Sequence, residues 1–344
     1  TPERLQGMPE NDTIIVSATI FKSNVRETWR VILVSEADIF LSESLRILAE
    51  RLSQSEIGLP LRQICYYSPP EEVGVFSTEI KNRIIYNLNI TTMSYLRFDK
   101  TLMTNLEESL PKEILRTNRS GAYHCTTIVD CNTRKYHGLL VIPVPEIDDE
   151  NHVLLSSLDE TVVQHGAEFN LGLHKYQGNN YSPRGHKYIR EFECEKVPTT
   201  WYRVGGVVLK KEKLFVHHEN RILIRYTLVE AHSATTLRLR PFLAFRSVRQ
   251  YTHENAQASR DYQEVDNGIK TCMYAGYPEL FMQLNKKNEF HFQPDWYRGI
   301  EYPKEQERGY DFNEDLYVPG YFEVDIKKGE SVVFSGGVSE ASTR

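Results

Sequence analysis

The chain has 344 residues, 40% of them hydrophobic and 26% charged, with a formal net charge of −6. That apolar content excludes an intrinsically disordered chain. The ordinary glycine and proline counts (19 and 15) exclude a collagen-like one. No stretch of about 18 apolar residues is present to span a bilayer, and the acidic balance argues against nucleic-acid or anionic-membrane partners.

The first 92 residues form one pattern. Thr13–Phe21 and Trp29–Val34 read as strands rich in branched side chains. Leu41, Leu45, Leu48 and Leu52 recur at helical spacing after a Ser42 cap, and Gly58 and Pro60 close that helix. Arg62–Tyr67 reads as a further strand, stopped by Ser68-Pro69-Pro70. Residues 1–92 are therefore expected to be a small α+β segment, with no recognisable chemistry.

From Met93 onward helical periodicity is scarce, and Leu106–Leu115 is the only helix-like stretch. Ile222, Ile224, Tyr226 and Leu228 share one strand face; Leu237 and Leu239 alternate with Arg238 and Arg240; Phe322, Val324 and Ile326 alternate with Glu323, Asp325 and Lys327. Asn179-Asn180, Gly205-Gly206, Glu219-Asn220 and Lys327-Lys328-Gly329 punctuate the runs as turns. Many short strands and few helices predict a mainly β fold, a large antiparallel β-sandwich over residues 93–340. The 20 Tyr and 15 Phe suit pleated, half-buried surfaces. After the last apolar run, Val332-Val333-Phe334, the polar ending places a domain boundary near Arg344.

No G-x-G-x-x-G or P-loop motif occurs, which argues against nucleotide binding, and neither H-E-x-x-H nor G-x-S-x-G is present. His217 and His218 are expected to be adjacent in one strand, where they face opposite ways and cannot share a metal. The five cysteines, Cys65, Cys125, Cys131, Cys194 and Cys272, are widely spaced without a C-x-x-C pair. They read as free thiols of a reducing, cytoplasmic compartment rather than zinc ligands. No metal and no cofactor is expected.

Three stretches could carry chemistry. Asp295–Gly320 interleaves seven carboxylates with Trp296, Tyr297, Tyr302, Tyr310 and Tyr317. Paired carboxylates are the tools of glycoside hydrolysis, and aromatic faces hold sugar rings. The plainer reading is a long charged surface loop held by Arg298 and Arg308. Asn132–Val141 runs from a polar turn into an apolar strand and offers Arg134, Tyr136 and His137; a buried structural histidine is the alternative for His137. Leu115–Tyr123 offers Asn118 as a backbone bridge beside a turn at Gly121, with Arg116 and Arg119 expected on the surface.

Together these segments resemble the N-terminal domain of the bacterial and archaeal type of glycogen debranching enzyme (amylo-α-1,6-glucosidase). Thr117, Asn118, Gly121 and Tyr123 match its T-N-x-x-G-x-Y, and Asn132–Val141 match N-T-R-x-Y-H-G-L-L-V. Pro183, Gly185, Tyr188, Phe192 and Glu193, then Leu239–Phe242 (L-R-P-F), and finally Trp296–Gly320 continue the match. Residues 1–92 match nothing in that family. The sequence departs at Arg119 and Ala122, where the family carries glycines.

The resemblance implies a mutarotase-like super-sandwich. In the family this domain precedes an (α/α) toroid that supplies the catalytic carboxylates and is absent from this chain. The implied role is a non-catalytic one, in an enzyme hydrolysing α-1,6-glucosidic branch points, and the chain alone is expected to be inactive. Its partners would be that toroid and an α-glucan. Candidate substrate-positioning or interface residues are Asn118, Arg134, Tyr136, His137, Trp296, Tyr297, Glu301, Arg308, Asp311, Glu314 and Asp315, with none assigned as catalytic. The alternative is a stand-alone α-glucan-binding or interaction module.

Overall fold

The computed structural model describes residues 96–342, together with the backbone of Thr13–Lys22 and Val25–Val34. Chain contacts divide the molecule into two units, Thr1–Asn89 and Ile90–Arg344. In the first, Thr13–Lys22 pairs antiparallel with Val25–Val34, as branched-residue runs joined by a short connection favour. The helix and strand expected within residues 41–67 lie outside the described residues.

The second unit is built on two antiparallel sheets. The first runs in the spatial order Asn180–Arg184, Leu173–Tyr176, Glu289–Glu301, Asn313–Ile326, Thr235–Ser247, Asn151–Gln164, Gly138–Pro143, Tyr123–Thr127, Glu113–Thr117, with Ala167–Asn170 pairing off this path with Asn151–Gln164. The second runs Tyr262–Val265, Gly268–Thr271, Leu280–Leu284, Ser331–Gly337, Arg221–Glu230, Val207–Phe215, Pro198–Val204, Ile189–Cys194, Leu96–Asp99. The expected period-2 faces are the core faces: Ile222, Ile224, Tyr226 and Leu228 of one sheet and Leu237, Leu239, Phe322, Val324 and Ile326 of the other are buried in one shared cluster. At Gly205-Gly206 both residues have positive φ (56° and 80°), the two-residue turn that suits the twist of a hairpin.

Three readings are corrected. Asp295–Gly320 is not a loop but parts of the long paired strands Glu289–Glu301 and Asn313–Ile326 with the short helix Pro303–Glu307 between them. Leu106–Leu115 gives only one helical turn, Leu106–Ser109, preceded by Lys100–Thr104, before the chain becomes the strand Glu113–Thr117. His217 and His218 sit in a turn beyond Phe215, with His218 at φ 61°, because the strand has already ended.

The sandwich interior also holds charge. Val207–Phe215 alternates strictly, yet its inward positions include Lys211 and Lys213, each 2% exposed. Both ammonium groups bond the carboxylate of Asp130, Lys211 at 2.9 Å. Lys211 also lies 2.5 Å from Glu160, whose other donor is the Tyr226 hydroxyl at 2.6 Å. Burial alone would raise the Asp130 carboxyl, but the two lysines overcome it and hold it well below the usual carboxylate range. Two acids and two bases make the cluster neutral, which is the condition for keeping charge in an interior.

Removing one acid leaves a buried cation uncompensated. Asp130→Asn, which keeps the shape and tolerates the φ of 59° at this position, is expected to lower unfolding stability by about 3–5 kcal/mol. Urea denaturation of the two forms measures it.

Candidate functional site

The face of the first sheet turned away from the main core carries a second, smaller cluster: Val141, Val153, Phe242, Ala244, Ile300, Leu316 and Val318, with Tyr123, Tyr176 and Tyr297 packed against it. Polar groups gather on this face where the loop before Gly138–Pro143 meets the helix Pro303–Glu307. The Lys304 amide donates to the Thr133 carbonyl at 3.0 Å, and the Lys135 amide reaches Glu305 Oε1 at 3.4 Å. Gly138 is required where this loop enters its strand, because a Cβ there would stand 2.7 Å from Val141 and 2.9 Å from Val153.

Glu113, at the start of the edge strand, accepts from Arg134 Nε at 2.6 Å, and His137 Nε2 lies 3.5 Å from the same carboxylate oxygen. The Thr133 amide donates to His137 Nδ1 at 3.1 Å. Nδ1 is therefore the acceptor nitrogen, and Nε2 carries the proton directed at Glu113. The His137 ring and the Arg134 guanidinium hold the Glu113 carboxyl down at about 2, while burial lowers His137 and keeps it neutral. Cys125 completes a trio whose ligand atoms lie within 4.8 Å of one another. This donor set does not fit a metal ion. The Nε2 lone pair is taken by a proton, and Arg134 already occupies the carboxylate. Burial raises the Cys125 thiol to about 11, so it is not an activated nucleophile either.

Behind this edge lies a second charged centre. Arg246, from the strand Thr235–Ser247, grips both oxygens of Glu314, Nη2 to Oε2 at 2.9 Å. Glu314 also receives the Tyr302 hydroxyl and the Thr252 amide, the latter at 3.1 Å. The same guanidinium donates to the Lys135 carbonyl at 2.7 Å, tying the loop to the strand pair. Toward solvent, Lys135 and Arg308 stand over the ring of Tyr310, at 5.4 and 5.0 Å. Tyr310 is 52% exposed.

Of the residues singled out from sequence, Arg134, Tyr136, His137, Arg308 and Glu314 come together here. Tyr136 packs edge-on against His137 at 5.4 Å. The others do not join them. Asn118 lies at the opposite end of its hairpin, where it accepts from the Ser120 and Ala122 amides and donates to Glu219 and Asn220, as a backbone bridge. Trp296 is 3% exposed in the main core. Tyr297 packs edge-on against Phe242 at 4.7 Å. Glu301 is buried in a pair with Lys175. Asp315 pins backbone, accepting from Gly299 at 2.8 Å and Glu254 at 3.0 Å, and Asp311 is exposed. Arg119 is exposed and adopts φ 63°, a backbone that glycine takes without strain, whereas Arg116 is half-buried against Cys194 at 2.8 Å rather than on the surface. Glu113, Arg246 and Tyr251, whose ring stacks on Tyr302 at 5.6 Å under the Arg246 guanidinium, lie outside the stretches singled out. Only the tertiary fold brings them to the site.

Residues 112–333 match the model of the family described as glycogen debranching enzyme N terminal. Among solved structures, a bacterial glucoamylase complexed with acarbose is similar at 8% identity and a TM-score of 0.32, over 67% of this chain and 31% of that one. A polysaccharide lyase is similar at 11% identity and a TM-score of 0.26, over 65% and 31%. The chain thus spans about a third of the length of each. No curated protein matches it by sequence.

The Glu113 link sets a pH dependence. Its folded-state value of about 2 lies below the ordinary 4.5. Its contribution to stability is therefore full above pH 4.5 and lost as pH falls toward 2. Glu113→Gln is expected to flatten the acid limb of a stability–pH curve in that window, measured by denaturant unfolding at stepped pH.

Proposed function

The chain belongs to the glycogen debranching enzyme N-terminal family. From that premise we propose that it is the accessory sandwich of a debranching glycosidase. Its rim of Arg134, Tyr136, Lys135, Arg308 and Tyr310 is where it meets the (α/α) toroid and the edge of the α-glucan site. The reaction served is hydrolysis of α-1,6-glucosidic bonds at branch points, with the acid and base supplied by the toroid.

The observation that carries this reading is the convergence of two separate family-like segments, Asn132–Val141 and Trp296–Gly320, on one rim. The buried carboxylates there are already engaged, Glu314 by Arg246 and Glu305 by Arg308 at 3.6 Å and the Lys135 amide at 3.4 Å, which suits positioning rather than proton transfer. Two buried polar atoms of the same cluster, Thr133 Oγ1 and Tyr251 Oη, have no hydrogen-bond partner within the protein. Unbonded polar atoms are costly in an interior, and their concentration here is consistent with a surface completed by something else. The exposed cation–aromatic fringe around Tyr310 has the composition of an interface anchor.

In the enzyme that joins this domain to its toroid, Arg134→Ala is expected to cut glucose release from a branched limit dextrin by about tenfold, the cost of roughly 1.4 kcal/mol of lost positioning. Normal activity in that variant overturns the assignment. Any glucose release by the 344-residue chain alone overturns the accessory role.

A further inference from the structure

The second sheet carries an open trough of about 520 Å³ on its outer surface, bounded by Arg190, Glu191, Trp201, Arg203, Val208 and Glu230. It belongs to the opposite sheet from the rim described above. Two irregularities of pairing border it. One falls between Ile189 and Glu191, opposite Tyr202 and Trp201; the other falls between Val208 and Leu209, opposite Glu230 and Leu228. Bulges re-aim side chains and recur beside binding sites. Here Arg190 is exposed and Glu191 is half-exposed although they are consecutive, where regular alternation would turn one of them inward.

The side chains are pre-set. The Trp201 indole N–H donates to Glu193 Oε1 at 3.1 Å, and Lys210 stands over its ring at 5.5 Å, which together fix the ring's orientation. Arg97 holds Glu191 through a bond of 2.8 Å. Arg203 and Glu230 form a loose pair at 3.3 Å, 57% and 50% exposed. A surface pair of that kind is worth little and opens readily.

We propose that this trough binds a neutral α-glucan chain, with Trp201 as the platform for a hexose ring and Arg203, Glu230 and Arg190 as donors and acceptors for its hydroxyls. The choice of ligand rests on the debranching reading above. The chemistry of the trough limits it independently. Arg190 and Arg203 balance Glu191 and Glu230, so the lining has no net charge to select an ion. A flat aromatic face flanked by forked donors and acceptors suits a ring with one apolar face and a polar edge. A second glucan contact on the far sheet would hold a branched polymer to the enzyme between cleavage events through raised effective concentration.

The test uses the full 344-residue chain in native gels containing glycogen and in calorimetric titration with maltoheptaose. The chain is expected to be retarded by glycogen. Trp201→Ala is expected to weaken maltoheptaose binding about tenfold or more, which is about 1.4 kcal/mol. Arg203→Ala, a change at an exposed position, is expected to weaken binding in the same direction without altering the thermal unfolding curve, so a folding defect of the tryptophan variant cannot mimic the result. The proposal is overturned if the chain neither binds maltoheptaose nor is retarded by glycogen. It is also overturned if both variants bind as the parent chain does, or if an acidic uronan binds in place of the neutral glucan. None of these outcomes touches the rim, whose own test reads the activity of the joined enzyme with Arg134 changed.

Discussion

Asp130 is the point on which the sandwich and its rim both depend. It sits in the turn that leads from the strand Tyr123–Thr127 into the Asn132–His137 loop, and its carboxylate is bound by Lys211 and Lys213 of the opposite sheet. Glu160, from the centre of the first sheet, shares Lys211. An apolar contact would hold the sheets together without fixing which residue faces which. A set of two acids and two bases in which only Asp130 reaches solvent tolerates few other registers, because each alternative leaves an uncompensated charge in the interior. The loop that carries Arg134 and His137 therefore leaves the core from a fixed point.

From that fixed point the loop is held a second time, on its other side, by Arg246. One guanidinium bonds the Glu314 carboxylate and the Lys135 carbonyl, and so joins the loop to two strands distant in sequence. Arginine can do this because its donors lie in one rigid plane and are always charged; lysine, a point charge on a flexible stem, lacks that fixed fork. The consequence for the rim is rigidity behind and freedom in front. The buried side of the cluster is held by the charge-assisted bonds of Arg246 and Glu314. The outward side ends in Tyr136, the half-exposed Tyr310 ring and Arg308, whose contact with the Glu305 carboxylate is looser, at 3.6 Å. A rigid back behind an exposed fringe suits the positioning role proposed for this rim.

The parts of this arrangement legible in the sequence are those governed by local periodicity. Ile222–Leu228, Leu237–Arg240 and Phe322–Ile326 alternate because one face is buried and the other wet, and those faces are the core faces of the structure. Asp295–Gly320 was not legible as strands. Its pairing shifts between Phe292 and Asp295 and again between Tyr297 and Ile300, so the alternation is broken twice within one strand. The polar run Lys210–Lys213 conceals an alternating strand for a different reason: two of its inward positions carry charge, and only the tertiary pairing with Asp130 and Glu160 makes that tolerable. At the site, Arg134 and His137 could be found from their own segment. Their partner Glu113 comes from a neighbouring strand and the anchor Arg246 from a distant one, and nothing in local spacing encodes either.

The two outer faces of the sandwich differ in chemistry. On the first sheet, buried carboxylates and cations are neutralised inside the fold, and its small apolar cluster is edged by half-buried tyrosines. A face of that type resembles the margin of an interface, apolar at the centre with polar groups around it. On the second sheet the charges stay toward solvent, as the close pairs Arg225–Glu212 and Arg97–Glu191 and the loose pair Arg203–Glu230, beside a half-buried tryptophan, Trp201, and two pairing irregularities. Such a face offers replaceable hydrogen bonds and one stacking ring, which suits a hydrated, uncharged, flexible ligand better than a protein surface. On the two proposals, one sheet would serve a permanent neighbour while the other stays open to polymer, and the core between them would keep those roles from competing for the same side chains.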